Sequence, residues 1–191
     1  MSKQVWRAGN VLYPLPAVMV SVANKAGETN ILTIAWTGTI CSDPAMVYIS
    51  VRPERHSYDM IQETGEFVIN LTTENLLQAT DYCGVKSGKQ VDKWTEMGLT
   101  KGAATQLKYA PIIEESPVNI ECKVTEVKRL GTHDMFLAEV KAVQVSEEHM
   151  NAKGKFELNS TGLIAYSHGE YLSLGDKLGT FGFSVRKNVK V

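Results

Sequence analysis

The chain has no basic surplus, no paired cysteine framework and no long apolar run, and each absence closes a class of function. Lys and Arg number 20 against 21 acidic residues, a formal net charge of −1. A nucleic-acid binder ordinarily carries a basic excess, so none is expected as a partner. Cys41, Cys83 and Cys122 are three cysteines, an odd count that points to a reducing compartment, the cytoplasm. No apolar stretch approaches the roughly 18 residues of a membrane helix. The opening residues, MSKQVWRAGN, have no apolar secretory core. The sequence has no GxGxxG, Walker loop or HExxH, and no G-x-S-x-G elbow. Cys and His are too scattered for a zinc set, so no metal is expected.

What is present fits one domain over 1–191: 191 residues, 43% hydrophobic, suffice for a full core. There is no low-complexity segment or linker. Pro14-Leu15-Pro16 precedes an apolar run, Ala17 to Ala23, which ends at the turn Asn24-Lys25-Ala26-Gly27. Asn30 to Trp36 resumes in β-rich residues, so a hairpin is expected. Further strands are expected at Met46 to Val51, Phe67 to Leu71, Val118 to Lys128, Met135 to Val145 and Leu163 to Tyr166. Short helices are expected from Ser57 to Glu63 and from Thr73 to about Tyr82. Helices do not alternate with strands as in a doubly wound sheet. The pattern indicates a mainly β, antiparallel barrel or sandwich.

Three stretches carry chemistry. In VYISVRPERHSY, residues 47–58, an apolar strand runs into a basic turn that opens a helix. Ser50 and Arg52 share strand parity, and Ser57 is of N-cap type. Hydroxyl, guanidinium, imidazole and free helix N–H groups together suit a phosphate dianion. A capped surface helix with solvated arginines has the same sequence and is, on this stretch alone, the more frequent case. In NILTIAWTGT, residues 30–39, Thr33, Ala35, Thr37 and Thr39 alternate with larger residues. That gives one slim polar face for a flat ligand, or simply one wet face of a barrel strand. The third stretch runs from Asp81-Tyr82-Cys83-Gly84 through Lys89 to Asp92-Lys93-Trp94. It is long for a connection, and such loops tend to be functional or disordered. Cys83 there is either a reactive thiol or, more commonly, an inert buried one. His133 gains a catalytic reading only if it faces the same cavity as the rest.

In this order the stretches resemble the flavin reductase-like family with the FMN-binding split barrel, in particular its flavoredoxin branch. The matching segments are NILTIAWTGTICSDPAMVYISVRPERHSYDMI, GEFVINL, DYCGVKSGKQVDKW and GTHDMFLAEV. The resemblance implies a six-stranded Greek-key barrel, a homodimer and FMN near the subunit interface. By position, Leu32, Thr33, Ile34, Ala35, Trp36 and Thr37 would line the isoalloxazine. Ser50, Arg52, His56 and Ser57, with Val51 between the first two, would hold the phosphate. Tyr82, Cys83, Lys89 and Lys93 fall in the segment that closes over the cofactor. His133 matches a His near the nicotinamide side, although Thr132 stands where the family has an acidic residue. The implied activity is an FMN oxidoreductase of the flavin or ferric reductase type, with NADH or NADPH as donor. The alternatives are a flavoredoxin-type carrier working with a redox partner protein, and a non-enzymatic flavin or haem binder.

Overall fold

The computed structural model describes residues 1–186. Its strands in chain order are β1 (Leu15–Pro16), β2 (Val18–Ala23), β3 (Thr29–Ile34), β4 (Thr37–Ser42), β5 (Ala45–Val51), β6 (Glu66–Leu71), β7 (Lys101–Gly102), β8 (Ile112–Ile113), β9 (Val118–Arg129), β10 (Asp134–Val145), β11 (Ile164–Ser167) and β12 (Glu170–Ser173). The α-helices are α1 (His56–Thr64), α2 (Leu77–Val85) and α3 (Lys93–Glu96). Among the described residues no helix is long and apolar enough to cross a membrane.

Seven strands form one antiparallel sheet in the order β3-β2-β6-β9-β10-β5-β4. Its two edges, β3 and β4, are consecutive in the chain and joined by Ala35 and Trp36 alone. The sheet must therefore curl until its edges meet at that bend. Ser50 N–H donates to the Trp36 carbonyl at 2.9 Å, tying the bend to β5. The hydrogen-bonded ladder itself is not closed, and this is the split of a split barrel. With β3 and β4 counted as one bent strand, the expected six strands are recovered.

The bend also undoes the expected alternation. Thr33 turns outward, and its hydroxyl donates to the Thr80 carbonyl of α2 at 2.5 Å. Thr37 turns inward and donates to the Tyr48 carbonyl at 2.6 Å. The two threonines therefore do not share a face, because two non-strand residues between them reset the period of 2.

The barrel interior is apolar, with Val20, Ile49, Phe67 and Phe136 fully buried and Ile61 of α1 closing one end. A second core, built from Met19, Ile31, Leu76, Ala79, Cys83 and Trp94, packs α2 and α3 on the outside of β2 and β3. This is why VMVSVA is buried at every position rather than at alternate ones. α1 ends at Gly65, which sits in the left-handed region (φ 65°) and donates its N–H to the Ile61 carbonyl at 2.8 Å. α2 starts later than the sequence suggested, after a 3₁₀ turn over Glu74–Leu76. The stretch from Cys83 to Lys101 is shorter as a loop than it reads, because Cys83 to Val85 belong to α2 and Lys93–Glu96 form α3.

Candidate flavin site

β5 delivers the site. Pro53 has no N–H to continue the ladder, and Arg55 N–H donates back to the Arg52 carbonyl at 3.0 Å, closing a turn. α1 starts at His56, and the cap position is Arg55, without a side-chain cap hydrogen bond. Ser57 is thus not the cap that its type suggests. It lies inside the helix, 1% exposed, and its hydroxyl accepts from Asn30 Nδ2 at 2.8 Å. Its own proton remains to be donated. With no cap oxygen, the N–H groups of His56 and Ser57 have no acceptor among the described residues. A helix start with open donors is a site for negative charge.

Two cavities meet over this turn. The smaller, about 320 Å³, has Arg52, Arg55, His56, Ser57, Lys86 and Ser87 in its wall. The larger, about 510 Å³, has Leu32, Ile34, Ala35, Trp36, Tyr166 and Tyr171 in its wall. Leu32, Thr33, Arg52, Arg55 and Gly84 line both. A Cβ on Gly84 would come within 3.2 Å of Thr33 Cβ, so the end of α2 lies as near β3 as only glycine permits comfortably. One end therefore suits an oxyanion, and the other suits a flat ring between apolar and aromatic side chains.

Arg52 is half exposed and pairs with Glu54 at 3.4 Å. Such a surface pair is worth about 0–1 kcal/mol and yields readily to a bound anion. Arg55 is the residue that sequence reasoning undervalued. It is not merely solvated charge, because Nη1 donates to the Gly84 carbonyl at 3.2 Å and the side chain borders both cavities.

His133 lines the larger cavity together with Ser50 and Arg52, which meets the condition set for it. Its ring packs at a tilt against Trp36, centroids 4.5 Å apart, and Nδ1 lies 3.0 Å from Thr132 Oγ1. Burial, followed by the charge of Arg52, holds its pKa below the usual value.

The third stretch divides. Cys83 borders the smaller cavity, yet it is 1% exposed. Burial pushes its thiol up to about 11, which makes it a poor nucleophile. Lys93 is buried, and its ammonium donates to the Ile31 carbonyl at 2.6 Å and the Cys83 carbonyl at 2.8 Å. It straps α2 to β3, and burial lowers its pKa to about 8. Tyr82 borders neither cavity. Lys89 lines a neighbouring chamber. Val51 and Thr37 point into the barrel and are buried.

Sequence reasoning missed the far wall altogether. Tyr166, Gly169 and Tyr171 come from the β11–β12 hairpin, and Tyr171 Oη donates to Asp81 Oδ1 at 3.2 Å. Burial, then the Asp81 charge, pushes the Tyr171 phenol up to about 12. A more voluminous cavity, about 780 Å³, lies elsewhere and is lined by Glu74, Glu96, Glu114, Glu115 and Glu148. That much negative charge repels a phosphate, so chemistry rather than size selects the smaller pair.

Residues 10–175 match the family model of the flavin reductase-like domain. The chain belongs to the flavin reductase-like family. An uncharacterised protein of Pyrococcus abyssi is 31% identical over 168 residues, covering 88% of this chain and 95% of its own. The FMN reductase (NADH) RutF of Acinetobacter baylyi is 24% identical, covering 64% of this chain and 61% of its own. The flavoredoxin of Desulfovibrio vulgaris superposes with a TM-score of 0.87 at 28% identity, covering 96% of this chain and 99% of its own. The fold is thus the mainly β split barrel of flavin reductases. The donor set and the ring-lined cavity fit a flavin phosphate at its two ends.

Proposed function

We propose that this chain is a single-domain FMN-binding oxidoreductase that passes electrons through the bound flavin. The observation that carries the reading is the junction of a basic pocket at a helix start with a larger ring-lined cavity, sharing Arg52, Arg55 and Gly84. Arg52, Arg55, the His56 and Ser57 N–H groups and the Ser57 hydroxyl would hold the phosphate. Leu32, Ile34, Ala35 and Trp36 would exclude water from one side of the ring, and Tyr166 and Tyr171 from another. FMN, when bound, supplies the electron-accepting and electron-donating chemistry. The chain therefore has no need of a nucleophile, in keeping with the inert Cys83 thiol.

His133 and Trp36 would form the wall against which an electron donor settles, with NADH or NADPH as that donor and a flavin or ferric complex as acceptor. The NADH-linked name of the Acinetobacter relative supports this reading. A second reading, that of an electron carrier serving a protein partner, is favoured by the likeness to the Desulfovibrio flavoredoxin. We also infer a cytoplasmic homodimer. Trp6, Leu12, Leu178 and Phe181 are exposed apolar side chains near the two ends of the described chain, and a second copy would cover them.

The test is the visible spectrum of the FMN-loaded protein under anaerobic NADH and then NADPH. Bleaching within seconds supports the reductase. Bleaching only by a reduced protein partner supports the carrier. Failure to bind FMN at all removes both.

A further inference from the structure

The arm that precedes the barrel encloses a chamber of its own, about 480 Å³, beside the ring cavity. Val11, Tyr13 and Leu15 of the arm line it together with Trp36, Tyr48 and Ser50 of the barrel. Trp36 and Ser50 also line the ring cavity, so a molecule in the chamber abuts whatever fills that cavity. The arm is anchored here. Leu15 pairs in register with Tyr166, and the Tyr13 ring packs at a tilt against His168 and Tyr166, centroids 4.7 and 6.3 Å apart. Leu12, assigned above to the contact with a second copy, lies in the same wall, so that copy would adjoin the chamber.

The chemistry of this wall is the reverse of the phosphate pocket. No charged side chain lines it, and an anion entering it would give up hydration without gaining a partner. Its polar side chains include the hydroxyls of Tyr13, Tyr48 and Ser50, none of which makes a side-chain hydrogen bond among the described residues. The Tyr48 ring lies over Gly38, where a Cβ would come within 3.2 Å of Cε1, so packing sets the ring and its hydroxyl stays free. A volume of this order suits a small molecule. The chamber therefore fits a flat, neutral body with hydrogen-bond acceptors on its edge.

Resting on the flavin reading above, we propose that this chamber binds a neutral quinone as electron acceptor. A quinone is planar and uncharged, and its two carbonyl oxygens accept from hydroxyls. Its reduction takes two electrons and two protons and turns both carbonyls into hydroxyls, while the reduced flavin returns to its oxidised form. NADH or NADPH and one solvent proton supply them through the flavin. A hydroxyl both donates and accepts, so the same side chains hold the quinone and the hydroquinone that leaves.

The experiment is a calorimetric titration of the oxidised, FMN-loaded full chain with menadione, a neutral naphthoquinone, and with a naphthoquinone sulfonate. Nothing is reduced in this measurement, so it reads binding alone. Menadione should bind saturably, and the sulfonate more weakly by about tenfold or more. Val11→Lys should shift the affinity ratio toward the sulfonate by roughly threefold to tenfold. Tyr48→Phe should weaken menadione by about two- to tenfold. Val11 is 63% exposed, and Phe keeps the ring over Gly38, so both variants fold, and unaltered FMN content confirms it. With the flavin then reduced by dithionite, menadione should restore the oxidised absorbance at a rate that saturates with its concentration. A chain that holds FMN but binds no menadione overturns the proposal and leaves the flavin reading standing. So do menadione affinity and an affinity ratio unmoved in both variants, since the quinone would then lie elsewhere, and so does a reoxidation rate that never saturates. If the chain takes up no FMN, the flavin reading falls and takes this proposal with it.

Discussion

The Trp36 indole and the His133 imidazole meet in a tilted contact, centroids 4.5 Å apart and planes 44° from one another. One residue sits in the bend between β3 and β4, and the other immediately precedes β10. The contact therefore joins the split of the barrel to the mouth of the ring cavity. It also withdraws the imidazole from water, and burial is the foremost cause of its lowered pKa. Trp36→Ala should raise the His133 pKa toward the ordinary histidine value. An NMR titration of the His133 ring protons reads this directly, and a value unmoved or lower would show that the Trp36 ring is not what desolvates it.

On the proposed reading Arg52 and Arg55 hold the flavin's phosphate, at the junction where both border the ring cavity as well. Either one changed to Ala should cost on the order of 1.5–3 kcal/mol of FMN binding, which is roughly ten- to a hundredfold. Riboflavin, lacking the phosphate, should bind both variants about as well as it binds the wild type. Equal losses for FMN and riboflavin would mean that the arginines merely hold the fold of the turn.

Lys93 gives a pH signature. Its folded pKa of about 8 lies below the ordinary 10.5 because burial disfavours the charge. The unfolded chain then binds more protons between about pH 8 and 10.5, so this residue's contribution to stability rises with pH across that window. It is fully present above the upper limit and lost as pH falls through the lower one. The neutral amine keeps two N–H groups, enough for the Ile31 and Cys83 carbonyls. Cys83 and Cys122, with thiols pushed up to about 11 and about 12 by burial, act with the opposite sign. The prediction is therefore a difference: denaturant melts should show the wild type gaining stability relative to Lys93→Met from pH 7.5 to 9.5. A difference that is flat or shrinks with pH would contradict it.

Tyr171 latches the β11–β12 hairpin to α2 through Asp81. Tyr171→Phe removes one hydrogen bond, worth about 0.5–1.5 kcal/mol. FMN should dissociate about two- to tenfold faster from this variant, with little change in the association rate. Stopped-flow fluorescence separates the two rates, and an unchanged dissociation rate would show that the hairpin does not close over the flavin.

Much of the fold and one side of the site are legible in the sequence. Apolar period, Pro53 and the Gly65 cap place β5, α1 and β6 to within a residue or two. The basic turn is visible because charge so close to a buried strand needs a reason. Three things are not visible. The bend at Ala35 and Trp36 breaks parity without a glycine or proline to announce it. Lys93 and Lys89 are alike as letters, yet one is strapped to two carbonyls and the other faces a chamber. Tyr166 and Tyr171 reach the cavity by tertiary packing of a distant hairpin, which no local pattern encodes. Arg55 was masked for a simpler reason: its partner is the Gly84 backbone carbonyl, and every residue carries one of those.

We propose that the basic pocket and the ring cavity form one flavin phosphate site. Calorimetric titration of the full chain with FMN, repeated with riboflavin, tests it most directly. Saturable binding of one FMN per chain is expected, with riboflavin weaker by about tenfold or more. No binding of FMN, or equal affinity for FMN and riboflavin, would contradict it.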